Sequence, residues 1–199
     1  MIGQIAALLW VILAAFALVF GYYRRDELSR LFSSVKLPGG IEFTFRAQLD
    51  DAISKRAPAA VSDAARKRVL RRATRDFATT SGARILWVDD TPDGNLPERK
   101  VLRSLGIMID LARTSEDGVA ALGRADYDLI ISNMNREDHK DEGARFLAQV
   151  RTAGRREPVV FYVMNLDPSR GTPGDAVGIT NQPDELVHLV LDGLERVRG

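Results

Sequence analysis

The pattern of apolar and polar positions divides the chain into three segments. The first, from Ile2 to Tyr23, is a continuous apolar run without a charged side chain. As a helix, this run would extend about 33 Å, enough to cross a hydrocarbon core of about 30 Å. We predict an uncleaved transmembrane helix over residues 1–23, because no Lys or Arg precedes the run. The alternative is a cleaved signal peptide, since residues 15–17 read Ala-Phe-Ala, the small-x-small form of a cleavage site.

The second segment, residues 24–82, has shorter patterns. Residues 35–37 and 41–45 alternate apolar and polar side chains around Pro38-Gly39-Gly40, which predicts a β-hairpin. Residues 46–57 are predicted to form a helix that ends before Pro58. Apolar residues that recur every fourth position from Val61 to Phe77 predict a further helix over about residues 59–79.

The third segment, residues 83–199, alternates short apolar runs with helical patterns. Strands are predicted at residues 84–88, 107–111, 127–132, 158–163 and 177–180, and helices at 93–105, 115–124, 143–152 and 184–196. This rhythm predicts a parallel sheet with helices on both faces. Between Val163 and Ala176 we predict a loop or a single turn, because two prolines and two glycines disfavour a helix there.

Charge follows the same three segments. The chain holds 28 Lys and Arg against 27 Asp and Glu, a balance that argues against a dedicated nucleic-acid binder. Residues 24–83 carry a net charge of +6 and residues 84–199 a net charge of −5. By the positive-inside rule, the basic stretch after the span places the C-terminal domain in the cytoplasm, on a single-pass protein of the inner membrane. The absence of cysteine excludes disulfide scaffolds and thiolate metal sites.

Basic residues next to the predicted span are candidates for contact with anionic lipid headgroups, at about 1 kcal/mol each near the surface. They are Arg24, Arg25, Arg66, Lys67, Arg68, Arg71, Arg72 and Arg75. The alternative for those on the second predicted helix is a solvated face of a helix that packs on a partner helix. We expect no nucleic acid as a partner, because no helix-turn-helix pattern accompanies the basic residues.

Ligands of open α/β sheets bind at the carboxyl ends of the strands, which directs attention to the residues that follow them. These residues are Asp89, Asp90, Asn133, Val163 and Gln182.

The third segment resembles the receiver domains of two-component response regulators, also called CheY-like domains, over about residues 83–197. The resemblance rests on ILWVDD at 85–90, TSEDGVAAL at 114–122 and YDLIISNM at 127–134, with Leu105-Gly106-Ile107, Gly143 and Pro158. It implies a flavodoxin-like five-stranded parallel sheet in the order 2-1-3-4-5, and a role in signal transduction of the bacterial phosphorelay type.

The resemblance also implies a set of reactive positions. In that family an acidic pair after the first strand helps to bind Mg²⁺, and an aspartate after the third strand accepts the phosphoryl group. A Thr or Ser after the fourth strand and a Lys after the fifth contact the phosphate. Here Asp89 and Asp90 match the acidic pair.

The other three positions depart from the family. Asn133 stands at the acceptor position, and its amide is not a nucleophile towards phosphorus. Val163 replaces the hydroxyl and Gln182 replaces the lysine cation. We therefore expect a degenerate pseudo-receiver that is not phosphorylated by the usual aspartyl route.

The predicted function is that of a non-catalytic protein-interaction module that binds a protein partner or a second copy of itself. No cofactor is expected, although weak Mg²⁺ binding at Asp89, Asp90 and Asn135 is open. One alternative is a nucleotide or second-messenger binding module, formed by the 135–142 and 164–176 loops. The other is a TIR-like nucleotide glycosidase, for which Glu116 is the nearest carboxylate of suitable type.

Overall fold

A computed structural model of the chain describes residues 39–56, 61–136 and 139–199, which belong to one compact unit. The predicted span, Arg24, Arg25 and the first arm of the predicted hairpin lie outside these residues. Within them, no helix combines the length and the apolar character that crossing a bilayer would require.

Five parallel strands form one sheet in the order β2-β1-β3-β4-β5. The strands are β1 Arg84–Val88, β2 Met108–Ala112, β3 Leu129–Ser132, β4 Val159–Tyr162 and β5 Gly178–Thr180. This topology confirms the predicted flavodoxin-like sheet. The strand order changes direction at β1 and β3, the point where ligands bind in such sheets.

Seven α-helices accompany the sheet in the part of the chain that the structure describes. They are α1 Gly39–Arg56, α2 Asp63–Arg75, α3 Phe77–Thr80, α4 Leu96–Ser104, α5 Ser115–Arg124, α6 Glu142–Thr152 and α7 Pro183–Arg198. Between β4 and β5 the chain forms only the 3₁₀ turn Pro168–Arg170, as the prolines and glycines of this stretch predict. A second 3₁₀ turn, Pro92–Asn95, precedes α4.

Alternate residues of the strands fill two separate cores. Ile85 and Trp87 of β1 face one core, which α1, α2, α4 and α7 complete. Leu86 and Val88 face the other core, which α5 and α6 complete. The central strands β1, β3 and β4 are buried on both faces because helices cover both sides of the sheet, so their apolar runs are nearly continuous. The edge strand β2 leaves Met108 and Leu111 exposed.

The predicted hairpin is wrong in its second arm, because residues 41–45 belong to α1. Phe45, Leu49, Ala52 and Ile53 are each at most 2% exposed, and their spacing puts them on one face of a helix. Phe43, the other aromatic residue of the alternating run, is 75% exposed. The helical period over 18 residues therefore prevails over the local alternation.

Helices α1 and α2 share a hydrophobic core with the sheet. α1 contacts α4 and α7, and α2 contacts α7. The α2–α7 contact includes Arg72, which donates to Asp192 at 2.5 Å and to Glu195 at 3.2 Å. The helices of the predicted neck are therefore a structural part of the sheet domain.

Replacing Gly143 by alanine tests how closely α6 approaches the end of β3. A Cβ on Gly143 would lie 2.3 Å from the Asn133 carbonyl oxygen, a backbone atom, and 2.9 Å from Phe161. We expect Gly143→Ala to lower the free energy of unfolding by about 1–3 kcal/mol. Thermal unfolding of the full chain would show this as a fall of roughly 2–4 °C per kcal/mol.

Gly123→Ala is the matched control, because nothing lies within 4 Å of the added Cβ. In a helix this change should be neutral or should stabilise by up to about 1 kcal/mol. Equal melting temperatures for the two variants would contradict the packing described for α6.

Candidate functional site

The ends of the central strands bring the predicted site residues to one edge of the sheet. Val88 of β1 pairs with Ser132 of β3, and the Asn133 N–H donates to the Val88 carbonyl at 3.0 Å. Asp89 and Asn133 are thus neighbours on adjacent strands. At the next pair, the Val163 N–H donates to the Thr180 carbonyl at 3.0 Å.

Asp89 is only 2% exposed, and both of its carboxylate oxygens accept hydrogen bonds from the chain itself. Oδ1 accepts from the backbone N–H of Thr91 at 2.8 Å and from its hydroxyl at 3.2 Å. Oδ2 accepts from the Asn95 amide at 2.6 Å. These bonds offset the cost of removing a carboxylate from water.

Arg56, the last residue of α1, extends this network to the end of β4. Its guanidinium donates to the Asn95 side-chain oxygen at 3.1 Å and to the Val163 carbonyl at 3.0 Å. The same group lies 4.6 Å from the centroid of the Tyr162 ring, within the range of a cation–π contact. One side chain from α1 therefore connects the loop after β1 to the loop after β4.

Tyr162 anchors the buried side of this connection. Its hydroxyl donates to Glu98 at 2.7 Å, and its ring meets Trp87 edge-on at 6.0 Å between centroids. Burial, reinforced by the negative charge of Glu98, raises the pKa of the Tyr162 phenol well above its ordinary value. The phenol therefore stays protonated and acts as a donor.

Arg136 occupies the other side of the sheet edge and is 3% exposed. Its guanidinium donates to the Ser132 hydroxyl at 2.7 Å, to the Asn133 carbonyl at 3.1 Å and to the Ser115 hydroxyl at 2.8 Å. Burial lowers the pKa of Arg136, while the charge of Glu142 opposes the shift. The guanidinium remains a cation at neutral pH because its ordinary pKa is above 12.

Glu142 closes this cluster at the start of α6. It accepts from the Ser115 hydroxyl at 2.7 Å and from Arg145 at 3.2 Å. The Ser115 hydrogen bond, together with the charges of Arg136 and Arg145, lowers the pKa of the Glu142 carboxyl. The carboxylate is therefore the anion that faces these arginines.

Asn133, Val163 and Gln182 follow β3, β4 and β5. The Asn133 side-chain amide makes no hydrogen bond to a described residue, and Val163 is 4% exposed. The Gln182 side chain donates to Asn181 at 3.2 Å, at the start of α7. These three positions therefore carry an amide, an apolar side chain and a second amide.

The residues predicted for weak Mg²⁺ binding have other partners. The Asn135 side-chain oxygen accepts from the Asp141 N–H at 3.1 Å, and Asp89 is satisfied as described. Among the described residues, no three histidine or carboxylate side chains come together as a metal site would require. A magnesium ion that binds Asp89 would have to displace the hydrogen bonds from Thr91 and Asn95.

Two cavities open beside the cluster. The smaller, of about 250 Å³, is lined by Glu116, Glu142 and the guanidinium groups of Arg113, Arg136 and Arg145. The larger, of about 530 Å³, lies between the segment after β3 and the β4–β5 loop, and Asn133 lines it.

Sequence reasoning missed Arg56 and Arg136. Arg56 donates to a residue 107 positions away, and no spacing pattern encodes such a contact. Arg136 lies in the loop of residues 135–142 after β3. Its sequence neighbours are mostly charged, so the sequence alone indicates an arginine exposed to solvent. The one available signal was its proximity to the acceptor position.

Comparisons with known proteins support the fold. No family model matches the chain, and no curated protein matches it. Among solved structures, the receiver domain of the Francisella response regulator 1452 matches with a TM-score of 0.51 at 16% identity, over 58% of this chain and 98% of that one. The response regulator PhyR from Brucella abortus matches with a TM-score of 0.50 at 16% identity, over 77% of this chain and 67% of that one. At this identity the likeness shows that the sheet domain has the fold of receiver domains.

A comparison of alanine variants at Arg56 and at its neighbour Lys55 tests the hydrogen bonds that Arg56 makes. Arg56→Ala removes two hydrogen bonds from a charged donor, so we expect a loss of about 2–3 kcal/mol in the free energy of unfolding. Lys55→Ala removes only an exposed ion pair with Asp51, which we expect to cost about 0.3–0.5 kcal/mol. Denaturant titration of the full chain measures both, and equal losses would show that Arg56 is a surface residue like its neighbour.

Proposed function

We propose that this chain is a membrane-anchored, non-enzymatic module of signal transduction that is not phosphorylated by the usual aspartyl route. In this proposal it acts by binding a protein partner or a second copy of itself. The receiver fold supports a place in signalling, and the chemistry of the sheet edge supports the loss of the phosphorylation switch.

The observation that carries the proposal is the environment of Asn133. The residue at the end of β3 has an amide in place of a nucleophilic carboxylate, and its carbonyl accepts from the buried guanidinium of Arg136. Arg56 holds the Val163 carbonyl at the end of β4. Two arginines of the chain itself thus supply positive charge at this edge without a bound phosphate.

Exposed apolar side chains near this edge support a protein partner. Leu96 is 40% exposed and Met164 is 67% exposed. Both line one cavity whose charged residues are Lys55, Arg56, Lys100, Asp93 and Glu98. Exposed apolar groups with a polar rim are typical of surfaces that bind other proteins.

The anchor is supported by the apolar run of residues 2–23 and by the outer face of α2. Lys67, Arg68 and Arg71 are exposed and form no ion pair with a described residue, whereas Arg66 pairs with Asp50 at 2.9 Å. We therefore assign contact with anionic lipid to these three side chains, and assign Arg66, Arg72 and Arg75 to contacts within the protein.

The glycosidase alternative has less support. Glu116 is exposed in the first turn of α5 and lines the smaller cavity together with three arginines. An exposed acidic side chain in the first turn of a helix is explained by the favourable interaction of a negative charge with the helix N-terminus.

Incubation of the full chain with acetyl phosphate and Mg²⁺ tests the loss of phosphorylation. We expect the intact mass to stay unchanged, because an amide at position 133 cannot form an acyl phosphate. A competent receiver domain serves as the positive control. Asn133→Asp restores the carboxylate without the hydroxyl or the lysine, so it should label much more slowly than that control. A stoichiometric phosphoprotein from the wild-type chain would refute the proposal.

The absence of cysteine allows a clean test of the anchor and of its orientation. Ser54, on the exposed side of α1, can be replaced in Ser54→Cys and probed with a membrane-impermeant maleimide. We expect the chain to stay in the membrane pellet after an alkaline wash, and the thiol to react only after the inner membrane is disrupted. Labelling of intact spheroplasts, or recovery of the chain in the soluble fraction, would contradict the predicted topology.

A further inference from the structure

The larger cavity, of about 530 Å³, has the size of a small-molecule site. Its volume falls within the roughly 300–1,000 Å³ of known ligand pockets. It opens at the carboxyl edge of the sheet, where ligands of this sheet type bind. Asn133 lines it, so the position that lost the phosphoryl acceptor forms part of its wall.

The floor of the cavity is apolar. Val163 and Met134 are 4% and 9% exposed and belong to the core between the sheet, α5 and α6. Ile179 and Ala144 pack against the same core and also line the cavity. The space exists because the β4–β5 connection has only a 3₁₀ turn and no helix to cover the strand ends.

The charged residues on the wall are paired within the protein. Arg170 donates to the two carboxylate oxygens of Asp141 at 2.8 and 3.0 Å, which ties the β4–β5 loop to the start of α6. Asp167 accepts from the backbone N–H of Ser169 at 3.0 Å. Among the described residues that line the cavity, Arg170 is the only cation and Asp141 and Asp167 are two carboxylates, so this wall carries a net negative charge that disfavours a phosphate.

The polar groups left for a ligand are amides. The side chains of Asn133 and Asn165 both line the cavity and make no hydrogen bond to a described residue. A primary amide presents a donor and an acceptor side by side, and an asparagine pairs in this way with the N6 and N7 edge of adenine. The sulfur atoms of Met134 and Met164, which also line the cavity, make favourable contacts with flat aromatic rings.

We propose that this cavity binds an uncharged purine base or nucleoside, with Asn133 and Asn165 as the residues that recognise its edge. The apolar floor contacts the ring face, and the excess of carboxylates on the wall selects against phosphorylated forms. The site is independent of the proposed signalling function and does not require any covalent chemistry.

Calorimetric titration of the full chain in detergent with adenosine tests the proposal, with adenine, guanosine, AMP and a cyclic dinucleotide as comparisons. We expect adenosine or adenine to bind, and AMP and the cyclic dinucleotide to bind at least roughly tenfold more weakly. Failure of adenine, adenosine and guanosine alike to bind would overturn the proposal. Tighter binding of the phosphorylated ligands would overturn it as well.

Variants locate the bound ligand. The double variant Asn133→Ala with Asn165→Ala should weaken adenosine binding by at least roughly tenfold. Ala144→Leu, which fills the cavity and leaves both amides in place, should also weaken it. Gln149→Ala is the control, because Gln149 is an exposed amide on α6 that does not line the cavity. Undiminished affinity in the first two variants, with their folding checked by unliganded melting, would place the ligand elsewhere.

Discussion

A carboxylate at 2% exposure has to be satisfied by nearby donors, and this requirement organises the whole edge of the sheet. Asp89 takes its hydrogen bonds from Thr91 and Asn95. Asn95 is oriented in turn by Arg56, which α1 delivers from outside the sheet. The first helix of the described chain is therefore necessary for the electrostatic balance at the end of β1, as well as for the hydrophobic core that it completes.

In our proposal the hydrogen-bond donors at this edge of the sheet keep the same partners at all times. In a phosphorylation switch, positive charge and hydroxyl donors change partners when a phosphoryl group arrives. Here Arg56 and Arg136 already have carbonyl and side-chain acceptors, and Asn133 cannot receive the group. In our proposal no phosphoryl group arrives to favour a second conformation, so the domain presents one fixed surface. The cavity lined by Asn133 is then open to a different class of ligand.

Much of the sheet domain could be predicted from local signals. Short apolar runs indicated the five strands, and the predicted helix over residues 115–124 is α5. The prolines and glycines before β5 excluded a helix there. The hairpin failed because the alternation over residues 41–45 is compatible with a helix whose buried face begins at Phe45, and only the packing of α1 on α4 and α7 decides between them.

The candidate site was predictable only in part, because strand ends can be read from a sequence whereas long-range contacts cannot. Asn133, Val163 and Gln182 follow strands and could be located, but Arg56 reaches the site through tertiary packing.

The most direct test of whether these hydrogen bonds persist is a crystal structure of the chain grown with Mg²⁺ and beryllium fluoride. We expect Asn95 to remain on Asp89 near 2.6 Å and Arg136 to remain on the Asn133 carbonyl near 3.1 Å. A magnesium ion on Asp89 with beryllium fluoride beside residue 133 would contradict the account, because these hydrogen bonds would then have been replaced.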